Sequence, residues 1–156
     1  MSELQDLYQD LILDHAKRPR NFRKLEAACR VGEGFNPVCG DRVTVYLKVE
    51  GDVVTDISFQ GSGCAISTAS ASMMTDLLKL KTLPEVEGLF QRFLGLVTGQ
   101  IKVNGVDTAL EDGPEVDRLE VFAGVSQFPS RVKCASLAWH SLHSALQGAK
   151  APVMTE

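Results

Sequence analysis

A run of alternating residues between positions 42 and 60 restricts the fold more than any other feature of this sequence. In the segment RVTVYLKVEGDVVTDISFQ, Val43, Val45 and Leu47 alternate with polar or half-polar residues before an EGD turn. After the turn, Ile57 and Phe59 again fall on one side. This pattern predicts two antiparallel strands, residues 42–49 and 54–60, with one face of the sheet buried.

Helical periodicity replaces the strand pattern directly after this hairpin. The segment GSGCAISTASASMMTDLLKL predicts a helix over residues 64–80, and its first turns are almost all alanine and serine, which lets a helix approach a sheet closely. Thr82 and Glu85 form a capping box that begins the next helix. Further amphipathic helices are predicted over residues 3–16 and 130–146.

The remaining segments carry weaker signals. We expect a loop at residues 30–40, which are punctuated by glycine and proline, and an edge strand near residues 27–31. A short helix is predicted over residues 115–123. The order of helix, strands and helices predicts an α+β fold, in which a small antiparallel sheet of about three strands carries helices on one face.

The length and composition are those of a folded globular protein. The chain has 156 residues, of which 44% are hydrophobic, and this is enough to bury a single core. We assign residues 1–150 to one domain and residues 151–156 to a C-terminal tail.

The charge distribution excludes some classes of partner. A basic cluster, defined as Lys17, Arg18, Arg20, Arg23 and Lys24, is either a solvated turn or a docking patch for an acidic protein. Its single aromatic residue and the lack of a binding motif argue against nucleic acid.

The N-terminal residues contain scattered acids, unlike a signal peptide, and no apolar run approaches the roughly 20 residues that span a membrane. We therefore expect a cytoplasmic protein.

Three cysteines stand at junctions between the predicted elements. Cys39 lies where a loop becomes a strand, Cys64 where a strand becomes a helix, and Cys134 in the first turn of the last helix. A helix N-terminus favours the thiolate form, which binds metal or attacks sulfur. In a reducing compartment such cysteines indicate metal or redox chemistry rather than disulfides.

Asp41 joins this set because residues i and i+2 of a strand share a face, which places it with Cys39. If the two helices converge there, three sulfurs and one carboxylate surround a point that suits tetrahedral Zn²⁺. The alternative is that the cysteines are small core residues and that Asp41 caps a turn. Cys29 is interpreted as such a core residue. Three histidines remain as other possible ligands, which we expect to be packing or surface residues: His15, His140 and His143.

Four segments of the sequence resemble the IscU/SufU family of iron–sulfur cluster assembly proteins. They are DHAKRPRNF, NPVCGD, GSGCAIS and FPSRVKCASLAW, and the resemblance runs from about residue 7 to residue 146. It implies the family's helix-covered antiparallel sheet. It also implies that the metal or cluster ligands are Cys39, Asp41, Cys64 and Cys134. Lys133, where the scaffold branch has histidine, and a longer segment near residues 98–115 resemble the SufU branch.

The SufU branch implies a zinc-bound sulfur acceptor for a SufS-type cysteine desulfurase. Cys39 is then the expected sulfur acceptor and Cys134 the second choice, and the protein is at most a persulfide carrier or transferase. Downstream cluster assembly or carrier proteins are further expected partners. Two alternatives stay open: a scaffold on which the same cysteines hold iron or a transient [2Fe–2S] cluster, and a structural zinc module.

Overall fold

The computed structural model describes residues 3–26, 30–37, 40–98, 122, 129–147 and 153–154. In this part of the chain the elements follow one another in the order α1 (Glu3–Lys17), β1 (Arg30–Asn36), β2 (Asp41–Glu50), β3 (Val53–Ser62), α2 (Ala65–Leu78), α3 (Leu83–Thr98), α4 (Pro129–Gln147) and β4 (Val153–Met154). The predicted α+β order is therefore confirmed.

The sheet has the strand order β3-β2-β1-β4. Both β1 with β2 and β2 with β3 pair antiparallel, which confirms the predicted three-stranded sheet. The two-residue strand β4 adds a short parallel pairing to β1, with Gly34 opposite Val153. The segment that was assigned to a C-terminal tail thus contributes to the edge of the sheet.

The β2–β3 hairpin follows the alternation of its sequence. Val43, Val45 and Leu47 are buried under the helices, whereas Arg42 on the opposite face is exposed. Gly51 has a φ of +62° in the EGD turn, a conformation that glycine adopts without steric cost. The hairpin therefore supplies one apolar face, against which α2 and α4 pack.

The prediction of a loop at residues 30–40 was wrong, because residues 30–36 form strand β1. Gly32 and Gly34 face α4, and a Cβ atom on Gly32 would overlap the backbone oxygen of Ser141. A Cβ on Gly34 would lie 2.9 Å from Leu137 Cδ1. In a strand, such glycines mark a close approach by another backbone rather than a turn. Of the edge strand expected near residues 27–31, residues 30 and 31 belong to β1, and residues 27–29 lie outside the described residues.

The helix starts agree with their capping signals. Cys64 is the N-cap of α2, and the Thr82 N–H donates to Glu85 Oε1 at 2.9 Å while the Glu85 N–H donates to Thr82 Oγ1 at 3.3 Å. The predicted capping box is thus confirmed. The helix expected over residues 115–123 lies outside the described residues except for Phe122.

An aromatic cluster fills the core between α3 and α4. The rings of Phe93 and Trp139 are stacked with centroids 4.5 Å apart, and Phe122 packs edge-on against Phe93. All three side chains are fully buried. Aromatic pairs of this kind contribute roughly 0.5–1.5 kcal/mol beyond the burial of their area. They fix α4, which carries Cys134, against the rest of the molecule.

The close approach at β1 can be tested by adding one methyl group. We expect Gly32→Ala to lower the free energy of unfolding by about 1–3 kcal/mol, because the obstructing atom belongs to the backbone of α4. Gly88→Ala, at an exposed helical site with open space around it, is the control and should raise the stability by up to about 1 kcal/mol. Urea unfolding measures both, and an unchanged midpoint for Gly32→Ala would contradict the packing.

Candidate metal centre

Three side chains from separate elements meet at one end of the sheet. Asp41 is the first residue of β2, Cys64 precedes α2, and Cys134 belongs to α4. One ligand atom from each of the three lies within 4.8 Å of the other two. The convergence that the sequence predicted for these three residues therefore occurs in the fold.

Asp41 carries a buried carboxylate that contacts Cys64. Its residue is only 2% exposed, because it shares the inward face of β2 with Val43. The backbone N–H of Cys64 donates to Asp41 Oδ1 at 3.0 Å. Asp41 Oδ2 lies 3.6 Å from Cys64 Sγ. One carboxylate oxygen is thus held by the backbone, and the other is next to the sulfur of Cys64.

The two cysteines differ in their access to solvent. Cys64 is exposed, and its Sγ accepts from the Ser67 N–H at 3.5 Å, in the position of a helix N-cap acceptor. Cys134 is 8% exposed. The sequence predicted that Cys134 lies in the first turn of the last helix. It lies in the second turn of α4, because the helix begins already at Pro129. Its position therefore comes from the packing of α4 and not from a helix end.

A contact between α2 and α4 brings the two cysteine-bearing segments together. Ser70 Oγ donates to the carbonyl oxygen of Ala135, the residue after Cys134, and both residues are fully buried. The surrounding residues of α2, Ala69 and Ala71, are also buried and small. The alanine and serine run indicated a close approach, but nothing in the sequence indicated that a serine would connect the two helices.

The DHAKRPRNF segment is attached to α2 by hydrogen bonds that the sequence did not reveal. His15 Nδ1 lies 2.7 Å from Ser72 Oγ, which also accepts the backbone N–H of Arg20 at 2.8 Å. Asn21 Nδ2 donates to Thr75 Oγ1 at 3.1 Å. Because His15 is buried in this contact, it is a packing residue, as expected, and not a member of the metal cluster.

The other two histidines pack against α3. His143 is stacked on Phe90 and lies 3.3 Å from Glu87, and His140 meets the same ring edge-on. Burial lowers the pKa of His140, and the nearby His143 lowers it further. Within the described ranges, Asp41, Cys64 and Cys134 form the only cluster of three or more His, Cys, Asp or Glu side chains close enough to hold a metal ion. Cys29 and Cys39 lie outside the described residues.

The donor set of the cluster fits a soft or borderline divalent metal. Two thiol sulfurs and one carboxylate oxygen are ligands that tetrahedral zinc accepts, and cysteine sulfur also binds iron in clusters. Three ligands leave room for a fourth within a tetrahedral arrangement. The geometry thus defines a small α+β protein with a cysteine and carboxylate site that could hold a metal ion.

Comparisons with known proteins agree with this class. The family model of the NifU-like N terminal domain matches residues 7–93. The chain is 38% identical over 141 residues to the zinc-dependent sulfurtransferase SufU of Bacillus subtilis (strain 168), with 90% of each chain covered. It is also 38% identical over 150 residues to the iron–sulfur cluster assembly scaffold protein IscU of Streptococcus pyogenes serotype M1, covering 94% of this chain and 87% of the relative.

A solved structure extends the similarity to the fold. The protein FiSufU of Fervidobacterium islandicum AW-1, whose name describes a cluster assembly scaffold for the SUF system, superposes with a TM-score of 0.77. The sequence identity is 33%, and the match covers 91% of this chain and 98% of that chain. This chain belongs to the NifU-like N-terminal domain family, together with its SufU and IscU relatives.

None of the described helices combines the length and the apolar character that a membrane crossing needs.

The difference in exposure between the two cysteines makes a direct prediction. In the metal-free protein, iodoacetamide should modify Cys64 roughly tenfold or more faster than Cys134, because a buried thiol reacts only after local opening. Peptide mass spectrometry at short reaction times measures both rates. In urea the two rates should become similar, and equal rates in the folded protein would contradict the burial of Cys134.

Proposed function

We propose that this chain is an iron–sulfur cluster assembly protein that accepts sulfur from a SufS-type cysteine desulfurase at a zinc-bearing site. The observation that carries the proposal is the cluster of Asp41, Cys64 and Cys134, with ligand atoms within 4.8 Å of one another. The similarity to a protein named as a zinc-dependent sulfurtransferase supports it.

Zinc would be held by Asp41, Cys64 and Cys134 with Cys39 as the fourth ligand. Only Gly40 separates Cys39 in the sequence from Asp41, the first residue of β2. When bound, zinc keeps its cysteine ligands deprotonated at neutral pH. A carboxylate oxygen is a harder ligand than a thiolate, and it leaves the coordination easier to rearrange than four sulfurs would.

The transfer itself is a thiol exchange at sulfur. The thiolate of Cys39 attacks the outer sulfur of the persulfide on the desulfurase cysteine. A new sulfur–sulfur bond forms on Cys39 as the bond in the donor persulfide breaks, and the desulfurase cysteine leaves as a thiolate. The transferred sulfur keeps its proton, and the exchange consumes no external oxidant or reductant.

Mass spectrometry of the cysteines tests the acceptor directly. After incubation with a SufS-type desulfurase and free cysteine, we expect one added sulfur on the wild-type protein and none on Cys39→Ser. Cys29→Ser is the matched control, since it removes a cysteine that is not among the proposed ligands, and it should gain sulfur at the normal rate. A persulfide on Cys39→Ser at the wild-type rate would move the acceptor to another cysteine, either Cys134, the second choice from the sequence, or the more exposed Cys64.

A cluster scaffold is the second candidate function. It is favoured by the similarity to a protein named as the scaffold IscU, and by the two sulfurs that the fold brings together. Cysteine thiolates are the usual ligands of [2Fe–2S] clusters, and one oxygen ligand would make a cluster easier to release.

Metal content separates the two candidates. For the sulfur acceptor we expect about one zinc per chain by elemental analysis, in line with a single four-ligand site, and no uptake of iron during anaerobic reconstitution with iron and sulfide. A stable visible absorption band that passes to an apo-acceptor would instead establish the scaffold.

A purely structural zinc site is the third interpretation, and two features oppose it. Structural zinc sites are usually closed and built from cysteine and histidine, whereas this cluster contains Asp41 and the exposed Cys64. If the protein leaves desulfurase turnover unchanged, a structural zinc site is favoured over sulfur acceptance.

The basic cluster is the proposed contact with an acidic surface of the desulfurase. Arg20 donates to Asp14 at 2.7 Å, and this hydrogen bond lowers the pKa of Asp14. Arg23 forms a second ion pair, with Asp56. For the remaining three members, the described part of the chain shows no ion pair: Lys17, Arg18 and Lys24. Lys17 and Lys24 therefore carry charges that a partner could contact, and Arg18 carries one that also helps to lower the pKa of Asp14.

Charge reversal tests this contact. We expect Arg18→Glu to weaken desulfurase binding at low salt, with a smaller effect at high salt because exposed charges are screened. Arg30→Glu on β1, two strands away from Asp56 on β3, changes the net charge equally and serves as the control. Calorimetric titration at two salt concentrations measures the affinities, and equal affinities for the two variants at low salt would exclude the basic cluster as the contact.

A further inference from the structure

The residue before Cys64 is a glycine, and the Asp41 carboxylate lies where a side chain at this position would be. Gly63 connects the end of β3 to the start of α2. A Cβ atom built on Gly63 would lie 2.7 Å from Asp41 Oδ1, 3.0 Å from Cγ and 3.3 Å from Cβ. Real Cβ atoms essentially never come as close as 2.7 Å to another heavy atom. The carboxylate of Asp41 therefore occupies the volume that a side chain at position 63 would need.

Backbone conformation does not explain this glycine. Among the described residues, glycines with a positive φ are Gly40, Gly51 and Gly61, and Gly63 is not one of them. The φ of position 63 therefore lies outside the left-handed range that favours glycine. What position 63 requires is space, and the group that uses the space is a proposed metal ligand.

The obstructing atoms at Gly63 differ in kind from those at other crowded glycines. At Gly32 and Gly61 a Cβ would strike backbone oxygen atoms, which move only if the fold moves. At Gly63 it would strike the end of a short side chain. A methyl group there can be accommodated by rotating the Asp41 carboxylate, so the fold should survive while the ligand is displaced.

Displacement of this carboxylate would undo both of its contacts. Asp41 Oδ1 would leave the Cys64 N–H, which it now meets at 3.0 Å, and Oδ2 would leave its place 3.6 Å from Cys64 Sγ. Since Oδ1 is already engaged by the backbone, Asp41 presents one oxygen, Oδ2, to the sulfur of Cys64. The present geometry thus restricts the carboxylate to a single-oxygen ligand, which suits a four-ligand site.

We propose that Gly63 is a positioning residue that holds the Asp41 carboxylate in its metal-binding orientation. The proposal rests on the proposed function only in taking Asp41 as a ligand. Groups that orient metal ligands typically change metal affinity by about 10–100-fold when they are altered. Gly63 would therefore determine metal affinity without touching the metal.

The test compares Gly63→Ala with wild type by zinc competition against a chromogenic chelator. We expect zinc affinity to fall about 10–100-fold, with an altered absorption spectrum of the Co²⁺ form because the oxygen ligand has moved. The far-UV circular dichroism should be unchanged. Ser62→Ala, one residue earlier and exposed, is the matched control and should keep the wild-type affinity and spectrum.

A double substitution shows whether the effect passes through Asp41. On an Asp41→Ala background, Gly63→Ala should change zinc affinity less than about twofold, because the group that it displaces is already gone. An unchanged affinity for Gly63→Ala alone, or an equal loss on both backgrounds, would overturn the proposal.

A crystal structure of metal-free Gly63→Ala gives a readout that does not depend on metal binding. The Asp41 carboxylate should be rotated away from the Cys64 N–H, and an unmoved carboxylate would overturn the proposal. A wild-type protein that binds no metal would instead refute the proposed function. The two failures are therefore distinguishable.

Discussion

The hydrogen bond from the Cys64 backbone to the buried carboxylate of Asp41 is the interaction on which the site depends. A carboxylate that is 2% exposed loses most of its hydration, and such a group needs hydrogen bonds or an opposite charge. The Cys64 N–H satisfies one oxygen. The second oxygen accepts a long hydrogen bond from the Cys64 thiol at 3.6 Å, and a metal ion that replaced the thiol proton would bind the same oxygen and sulfur.

This arrangement requires close contacts between helices and sheet, and small residues at three places provide them. Gly32 and Gly34 admit α4 to the sheet, Ser70 connects α2 to α4, and Gly63 leaves room for the carboxylate. Protein interiors are packed as densely as crystals, so a small shift of either helix would separate the ligand atoms. The core packing and the metal site therefore constrain each other.

The sequence predicted the elements whose periodicity is strong and failed where a residue has two physical roles. The alternation in β2 and β3 and the Thr82 capping box were sufficient to predict the hairpin and the start of α3. Most of strand β1, from residue 32 onward, was predicted as a loop because glycine breaks strands in one context and admits a helix in another. Only the three-dimensional partner, Ser141 of α4, distinguishes the two roles.

The candidate site shows the same division. Asp41 and Cys64 could be placed from local pattern, since strand alternation and a glycine-flanked helix start are visible in the sequence. The convergence of Cys134 with them was only a condition in the interpretation of the residues, and the family resemblance supplied it, because the ligands span many residues without a local metal-binding motif. The roles of Ser70 and His15 could not be predicted, since each depends on a partner more than fifty residues away.

The unequal surroundings of the cysteines favour transfer chemistry over a static metal site. A site that only stabilises the fold gains from burying every ligand, because solvent access speeds metal loss and oxidation. Here Cys134 is buried, whereas Cys64 is exposed at the N-cap of α2. Asp41 also replaces a sulfur with an oxygen that binds soft metals less firmly. An exchangeable coordination site requires three kinds of ligand. One is buried and retains the metal, one is exposed within reach of a partner, and one binds the metal more weakly.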